Sequence, residues 1–255
     1  PLAHRLQAEG ILRNPPLVAP LYLHPERHGG QKYVVLDGAN RSTALAQLGY
    51  AAMLVQVVQY DSPGVKLSTW NHVVSEMATA DLLERIRAIE GLEVRETQLL
   101  YARADIARRE ILAYLACPGG AAYAVHPKPF DLPARTELLN ALVNTYKDRA
   151  RLHRANTDDP DEVLTYYENV AALVVFPHFE PVELQALARD GVLLPPGITR
   201  HVIHGRAMRL NYPLAELASP TPIEEKNAVL AEWIRRKMGG KEIRYYEEPT
   251  FLFDE

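Results

Sequence analysis

The chain of 255 residues has a single cysteine, Cys117, which excludes an internal disulfide and a thiolate metal cluster. That usage fits a protein of the reducing cytoplasm. No apolar run approaches the roughly 20 residues of a membrane helix, and no signal-peptide pattern stands at the start. There is no basic excess. The 28 Lys and Arg against 32 Asp and Glu give a formal charge of −4, which argues against a broad nucleic-acid surface. Two phosphate-binding signatures are also missing. No Gly-Lys-Ser/Thr marks a Walker A loop, and the dinucleotide fingerprint lacks its second and third glycines. What is present is ordinary for a globular protein: 47% hydrophobic and 24% charged residues, enough for one large domain or two small ones.

Hydrophobic spacing and turn residues give an α+β pattern. Pro1–Gly10 reads as a short amphipathic helix, stopped by Gly10. Leu17–Leu23 and Tyr33–Leu36 read as strands, Ala39–Leu48 as a helix and Ala52–Tyr60 as a strand. Further along, a helix is expected near Asp81–Glu90 and a β-hairpin around Cys117-Pro118-Gly119-Gly120 within Ile106–Val125. A long amphipathic helix is expected over Phe130–Asn156. Thr165–Phe176 is a buried strand, or a helix end followed by a strand. Helices follow at Pro181–Asp190 and Ile223–Met238, with one or two strands in Ile198–Asn211 and a terminal strand at Ile243–Phe253. The expected boundary lies near Ser75–Asp81, dividing residues 1–78 from 79–255.

The stretch richest in chemistry is Val34–Gly49, where a strand ends in Asp37-Gly38 and a helix starts at once. A helix N-terminus offers unpaired N–H groups and partial positive charge to an anion. Gly38 lets backbone approach a ligand closely. Ala39 and Asn40 open the helix, Arg41 adds a forked cation suited to phosphate, and Ser42 and Thr43 add hydroxyls. Asp37 can hold Mg2+ or accept a proton from a substrate hydroxyl. A plain alternative stands beside this one: Asp-Gly before a helix is a common turn, and Arg41 can simply pair with Asp37.

The order ILRNPPLV, YVVLDGANRSTALAQLGY, VQVVQY resembles the core shared by ParB proteins and sulfiredoxin, over about sixty residues. The Gly-Glu-Arg-Arg box and helix-turn-helix of ParB are absent, and so is a cysteine where sulfiredoxin carries its catalytic one. Within this group the chain therefore resembles the free serine kinases, including the type that supplies O-phosphoserine for siderophore synthesis. Leu67-Ser68-Thr69-Trp70-Asn71-His72, Gly197-Ile198-Thr199-Arg200-His201, Gly205-Arg206 and the tail Arg244–Glu248 carry the rest of the likeness.

The resemblance implies Mg2+-dependent phosphoryl transfer from ATP or ADP to the hydroxyl of free L-serine. A small ParB/sulfiredoxin-like domain would pack on a second α/β domain with the active site in the cleft. Residues 38–43 would hold phosphates; Trp70, Thr199, Arg200, His201 and Arg206 would form the serine side. These kinases use a Glu early in the domain as catalytic base. None matches it here, so that Glu is expected upstream of Pro1. The rivals are a ParB-like DNA-binding regulator and a nucleotide-dependent sensor without turnover.

Other features have plainer explanations. Cys117-Pro118 occurs at some haem-sensing sites, but Pro118-Gly119-Gly120 also makes a good hairpin turn. His201 and His204, three apart on a strand, would point to opposite faces and share no metal. His24 and His28 read as solvated. The basic run Lys147–Arg154 is a solvated helix face or a contact for an acidic partner. Tyr166-Tyr167 and Tyr245-Tyr246 can frame an adenine or be half-buried strand tyrosines.

Overall fold

The structure, a computed structural model, describes residues 2–21 and 31–247. His24, His28 and the end of the expected terminal strand lie outside the described residues. The chain runs α1 (Leu2–Glu9), β1 (Ile11–Leu12), β2 (Leu17–Leu21), β3 (Lys32–Asp37), α2 (Ala39–Gln47) and β4 (Gln56–Val57). Next come β5 (Val65–Thr69), β6 (Asn71–Ser75), α3 (Thr79–Arg87), β7 (Leu92–Thr97), α4 (Leu99–Ala107), β8 (Ala113–Ala116) and β9 (Ala122–Pro127). The remainder is α5 (Leu132–Asn144), β10 (Arg151–Ala155), α6 (Pro160–Leu164), β11 (Val170–Val175), α7 (Pro181–Arg189), β12 (Thr199–Ile203), β13 (Tyr212–Pro213), α8 (Leu214–Ala218) and α9 (Ile223–Gly239). The fold is mixed α+β, as the pattern indicated.

Two compact units share the chain. Among the described residues the first comprises 2–20, 35–64 and 203–247, and the second comprises 21, 31–34 and 65–202. The division is therefore discontinuous, and it does not coincide with the single boundary expected near Ser75–Asp81. In the first unit, β1 pairs with β13 through Leu12 and Tyr212, which ties the start of the chain to its last fifth. A core forms there from Leu6 of α1, Leu45 of α2, Leu12, Leu54, Tyr212 and Leu214, with Trp233 of α9 set edge-on to Tyr212. A small sheet of order β3-β2-β4 carries the Asp37 turn at the end of β3.

The second unit is built on a sheet of order β10-β6-β11-β8-β9-β7, whose strand pairs are all antiparallel. Successive strand residues point to opposite faces. Val74, Leu115, Ala172 and Val174 accordingly enter the core beneath α3 and α5, with Leu82, Ile86, Leu139 and Leu142. Val73, Tyr114, Leu173 and Val175 enter the opposite core, with Ala102 of α4 and Val163 of α6. Both faces are covered, so the central strands read as unbroken apolar runs rather than as alternation.

Several expected elements come out differently. The long helix over Phe130–Asn156 ends at Asn144, because Arg151–Ala155 is taken up as β10 along the free edge of β6. The basic run Lys147–Arg154 therefore leads into an edge strand and is not a helix face. The strand over Ala52–Tyr60 shrinks to Gln56–Val57, which is all that pairs with β2. Residues 243–247 form no strand. Strand β7 and helix α4 went unforeseen. The hairpin was foreseen and is β8–β9, its turn closed at Gly119 and Gly120 by positive φ values of 81° and 87°. Cys117 sits buried at its base, where burial pushes the thiol up to about 11 and leaves it unreactive.

Candidate active site

The Asp37-Gly38 turn is the most constrained part of the first unit. Gly38 caps α2 at φ 88° and ψ 22°, and no side chain caps the helix. A Cβ at Gly38 would lie 2.9 Å from the Cα of Pro16 and 2.9 Å from Nη2 of Arg41, so only glycine fits. Arg41 turns back from the first helical turn. Its Nη1 donates to the Asn14 carbonyl at 2.7 Å and its Nη2 to Asp37 Oδ2 at 3.0 Å. Arg206 donates through its own Nη2 to the same carboxylate oxygen. One carboxylate thus holds two guanidiniums beside an uncapped helix N-terminus.

The electrostatics follow. Burial alone would raise the Asp37 pKa, but the hydrogen bond and charge of Arg206, the charge of Arg41 and the Gly38 N–H outweigh it and hold the carboxyl below its ordinary range. Arg206 Nε is buried with no hydrogen-bond partner among the described residues. Its backbone is clamped on both sides by one side chain: Gln56 Nε2 donates to the Gly205 carbonyl at 2.9 Å, and Gln56 Oε1 accepts from Ala207 N–H at 2.9 Å. Asn14 Oδ1 similarly accepts from Arg209 N–H at 2.7 Å. Sequence reading missed Gln56 and Asn14, because their partners lie well over a hundred residues away and no local spacing announces them.

The residues expected on the serine side divide. Arg206 joins Asp37, Gly38, Ala39, Asn40, Arg41, Ser42 and Thr43 in the first unit, whereas Trp70, Thr199, Arg200 and His201 lie together in the second. There β12 pairs with β5. Trp70 N–H donates to the Ile198 carbonyl at 2.9 Å, and the Arg200 guanidinium lies 4.5 Å from the centroid of the half-buried Trp70 ring. His72 anchors the segment from below, with Nδ1 2.8 Å from the Tyr146 hydroxyl and Nε2 3.2 Å from the Gly197 carbonyl. Burial first of all, with the nearby charge of Arg154, depresses His72 to about 4, so it is a neutral strut at neutral pH. Ser42 Oγ bonds back to the Gly38 carbonyl at 3.2 Å. Of the tyrosine pairs, Tyr167 stacks on His153 while Tyr166 is exposed, and the Tyr245 hydroxyl meets His204. Among the described residues no group of three His, Cys, Asp or Glu forms a metal cluster, and no helix is long and apolar enough to cross a membrane.

Comparison with known proteins gives this geometry a family context. No family model matches the chain. Its fold is that of the free serine kinases: a solved structure titled free serine kinase in complex with AMP superposes with a TM-score of 0.68 at 22% identity, covering 85% of this chain and 84% of that one. The chain is also related in sequence to the ATP-dependent L-serine kinase SbnI of Staphylococcus aureus, with 24% identity over 98% of its length and 87% of that protein. A second ATP-dependent L-serine kinase, from Staphylothermus marinus, is 32% identical over 95 residues, which span 37% of this chain and 34% of that protein.

Proposed function

We propose that this protein is a kinase of free L-serine that transfers the terminal phosphoryl group of ATP to the serine hydroxyl, giving O-phospho-L-serine. One observation carries the reading: an uncapped helix N-terminus next to an obligatory glycine, flanked by two guanidiniums that Asp37 holds in place. Phosphoryl transfer is mostly positioning and charge stabilisation, and these parts supply both. The amides of residues 39–41 face the phosphates, the unpartnered Nε of Arg206 offers a further donor, and Arg41 offsets the charge that develops on the transferred group. We read this first unit, with its helix–strand–strand–helix order and Asp-Gly turn, as the ParB/sulfiredoxin-like piece of the chain.

In the reaction the serine oxygen bonds to the γ-phosphorus, the bond to the β-phosphate oxygen breaks, and ADP leaves. Asp37 is poorly suited to take the hydroxyl proton, because two guanidiniums hold it ionised and lower its basicity. Overall, the hydroxyl proton is released to solvent as ATP and serine become ADP and O-phosphoserine. Mg2+ held at Asp37 fits poorly for the same reason, since that carboxylate is already neutralised. Mg2+ arrives instead on the nucleotide, as part of the substrate. Within the second unit, Trp70 is proposed to form a wall, with Thr199, Arg200 and His201 supplying polar contacts to the amino acid.

The test is direct. Purified protein incubated with L-serine and ATP labelled in the γ position should yield labelled O-phosphoserine and ADP in equal amounts. Nucleotide binding with no labelled amino acid would leave a sensor and remove the kinase.

A further inference from the structure

Arg154 belongs to the basic run whose role the sequence left open. It lies on the edge strand β10 directly across from His72 on β6. Its side chain packs onto Gly197. A Cβ at that residue would stand 2.9 Å from Arg154 Nη2, 3.0 Å from Nε and 3.2 Å from Cζ, and Gly197 has φ +90°. Glycine is thus favoured there by the backbone angle, and the guanidinium lies against its open face. The same Gly197 carbonyl is met by His72, and the next carbonyl, of Ile198, takes the Trp70 N–H. Arg154 therefore lies at the root of the Thr199–His201 strand, near the Trp70 and Arg200 side chains.

Its charge, however, is unanswered. The Arg154 guanidinium makes no hydrogen bond or ion pair with another described residue, whereas Arg41, Arg103, Arg108, Arg109 and Arg206 each hold a carboxylate. His72, which faces it across the ladder, stays neutral at neutral pH. A guanidinium held against backbone, with its fork exposed and no anion supplied by the protein, is poised to receive one from a ligand. Resting on the kinase reading above, we propose that Arg154 binds the carboxylate of the amino-acid substrate, next to Arg200, and so selects a free amino acid over a neutral alcohol.

The experiment compares L-serine with L-serinamide, which keeps the hydroxyl and ammonium but lacks the carboxylate. In Arg154→Ala, kcat/KM for L-serine should fall by roughly tenfold or more, as expected for loss of a charge-assisted contact, while the value for L-serinamide stays near wild type. Arg154→Lys should fall between the two, because it keeps charge but loses the fork. The KM for ATP should not move, and thermal melting should show each variant folded. Equal losses for both substrates, or an unchanged value for L-serine, would overturn the proposal. A wild-type protein that makes no O-phosphoserine would instead sink the kinase reading itself, so the two failures are told apart.

Discussion

At the scale of single residues the molecule spends its glycines and buried polar groups in identifiable places. Gly38→Ala would force a Cβ into the Pro16 backbone at φ 88°. The variant should lose about 1–3 kcal/mol of stability and bind ATP more weakly, measurable by urea melts and by the KM for ATP. Asp37 makes a pH prediction. Because its folded pKa is lowered, the ionised form that grips Arg41 and Arg206 is fully present above the ordinary carboxylate value and is lost only as pH falls through the lowered one. Asp37's contribution to ATP affinity should therefore be constant from about pH 8 to about pH 5, so Asp37→Asn should weaken binding by a similar factor throughout that range. His72 works with the opposite chemistry. Its folded pKa near 4 lies below the ordinary 6.5, so the unfolded chain takes up the proton first. Stability should be constant above about 6.5 and should fall between there and about 4, by roughly 3 kcal/mol at most. Urea melts across that window should show a steeper slope in the wild type than in His72→Asn.

At the scale of elements, the antiparallel sheet of the second unit is the strongest structural statement. Leu173 lies fully buried on β11, between β6 and β8. Leu173→Ala should cost about 2–5 kcal/mol by transfer and cavity terms, seen as a shift of the denaturation midpoint. How the sequence announced these elements depended on where each one's partners lie. The Asp37-Gly38 turn, helix α2, the β8–β9 hairpin, α7 and α9 could be read because glycine, proline and helical spacing are local signals. Strand β10 could not, since Arg151-Leu152-His153-Arg154-Ala155 continues a helical pattern and only the open edge of β6 makes it a strand. The site divides the same way. The Asp37-Gly38 turn and the helix behind it, where residues 38–43 are proposed to hold phosphates, were legible from one stretch of chain, whereas Gln56, Asn14 and the meeting of Arg206 with Asp37 depend on pairings across more than a hundred residues. Gly205-Arg206 was placed on the serine side through the family resemblance; the fold sets the Arg206 guanidinium against Asp37.

At the scale of the whole molecule, the remaining choice lies between a DNA-binding regulator, a sensor and an enzyme, and bulk properties already weigh on it. A net charge of −4 supplies no general attraction to polyphosphate backbones, so the protein should fail to shift duplex DNA even at low salt. ATP is different, because its site is local and does not depend on overall charge. If the uncapped α2 terminus binds it, ATP at a hundred times its Kd should add about 2.7 kcal/mol to stability. For a chain of this size that is a rise in Tm of roughly 5–10 °C. The gain should shrink in Gly38→Ala and persist in Arg154→Ala, whose side chain is proposed to touch the amino acid and not the nucleotide. A sensor would show that same pattern of stabilisation while leaving ATP and serine intact over hours. An enzyme must also convert the mixture, and its melting curve should then drift toward that of the protein with ADP as the nucleotide is consumed.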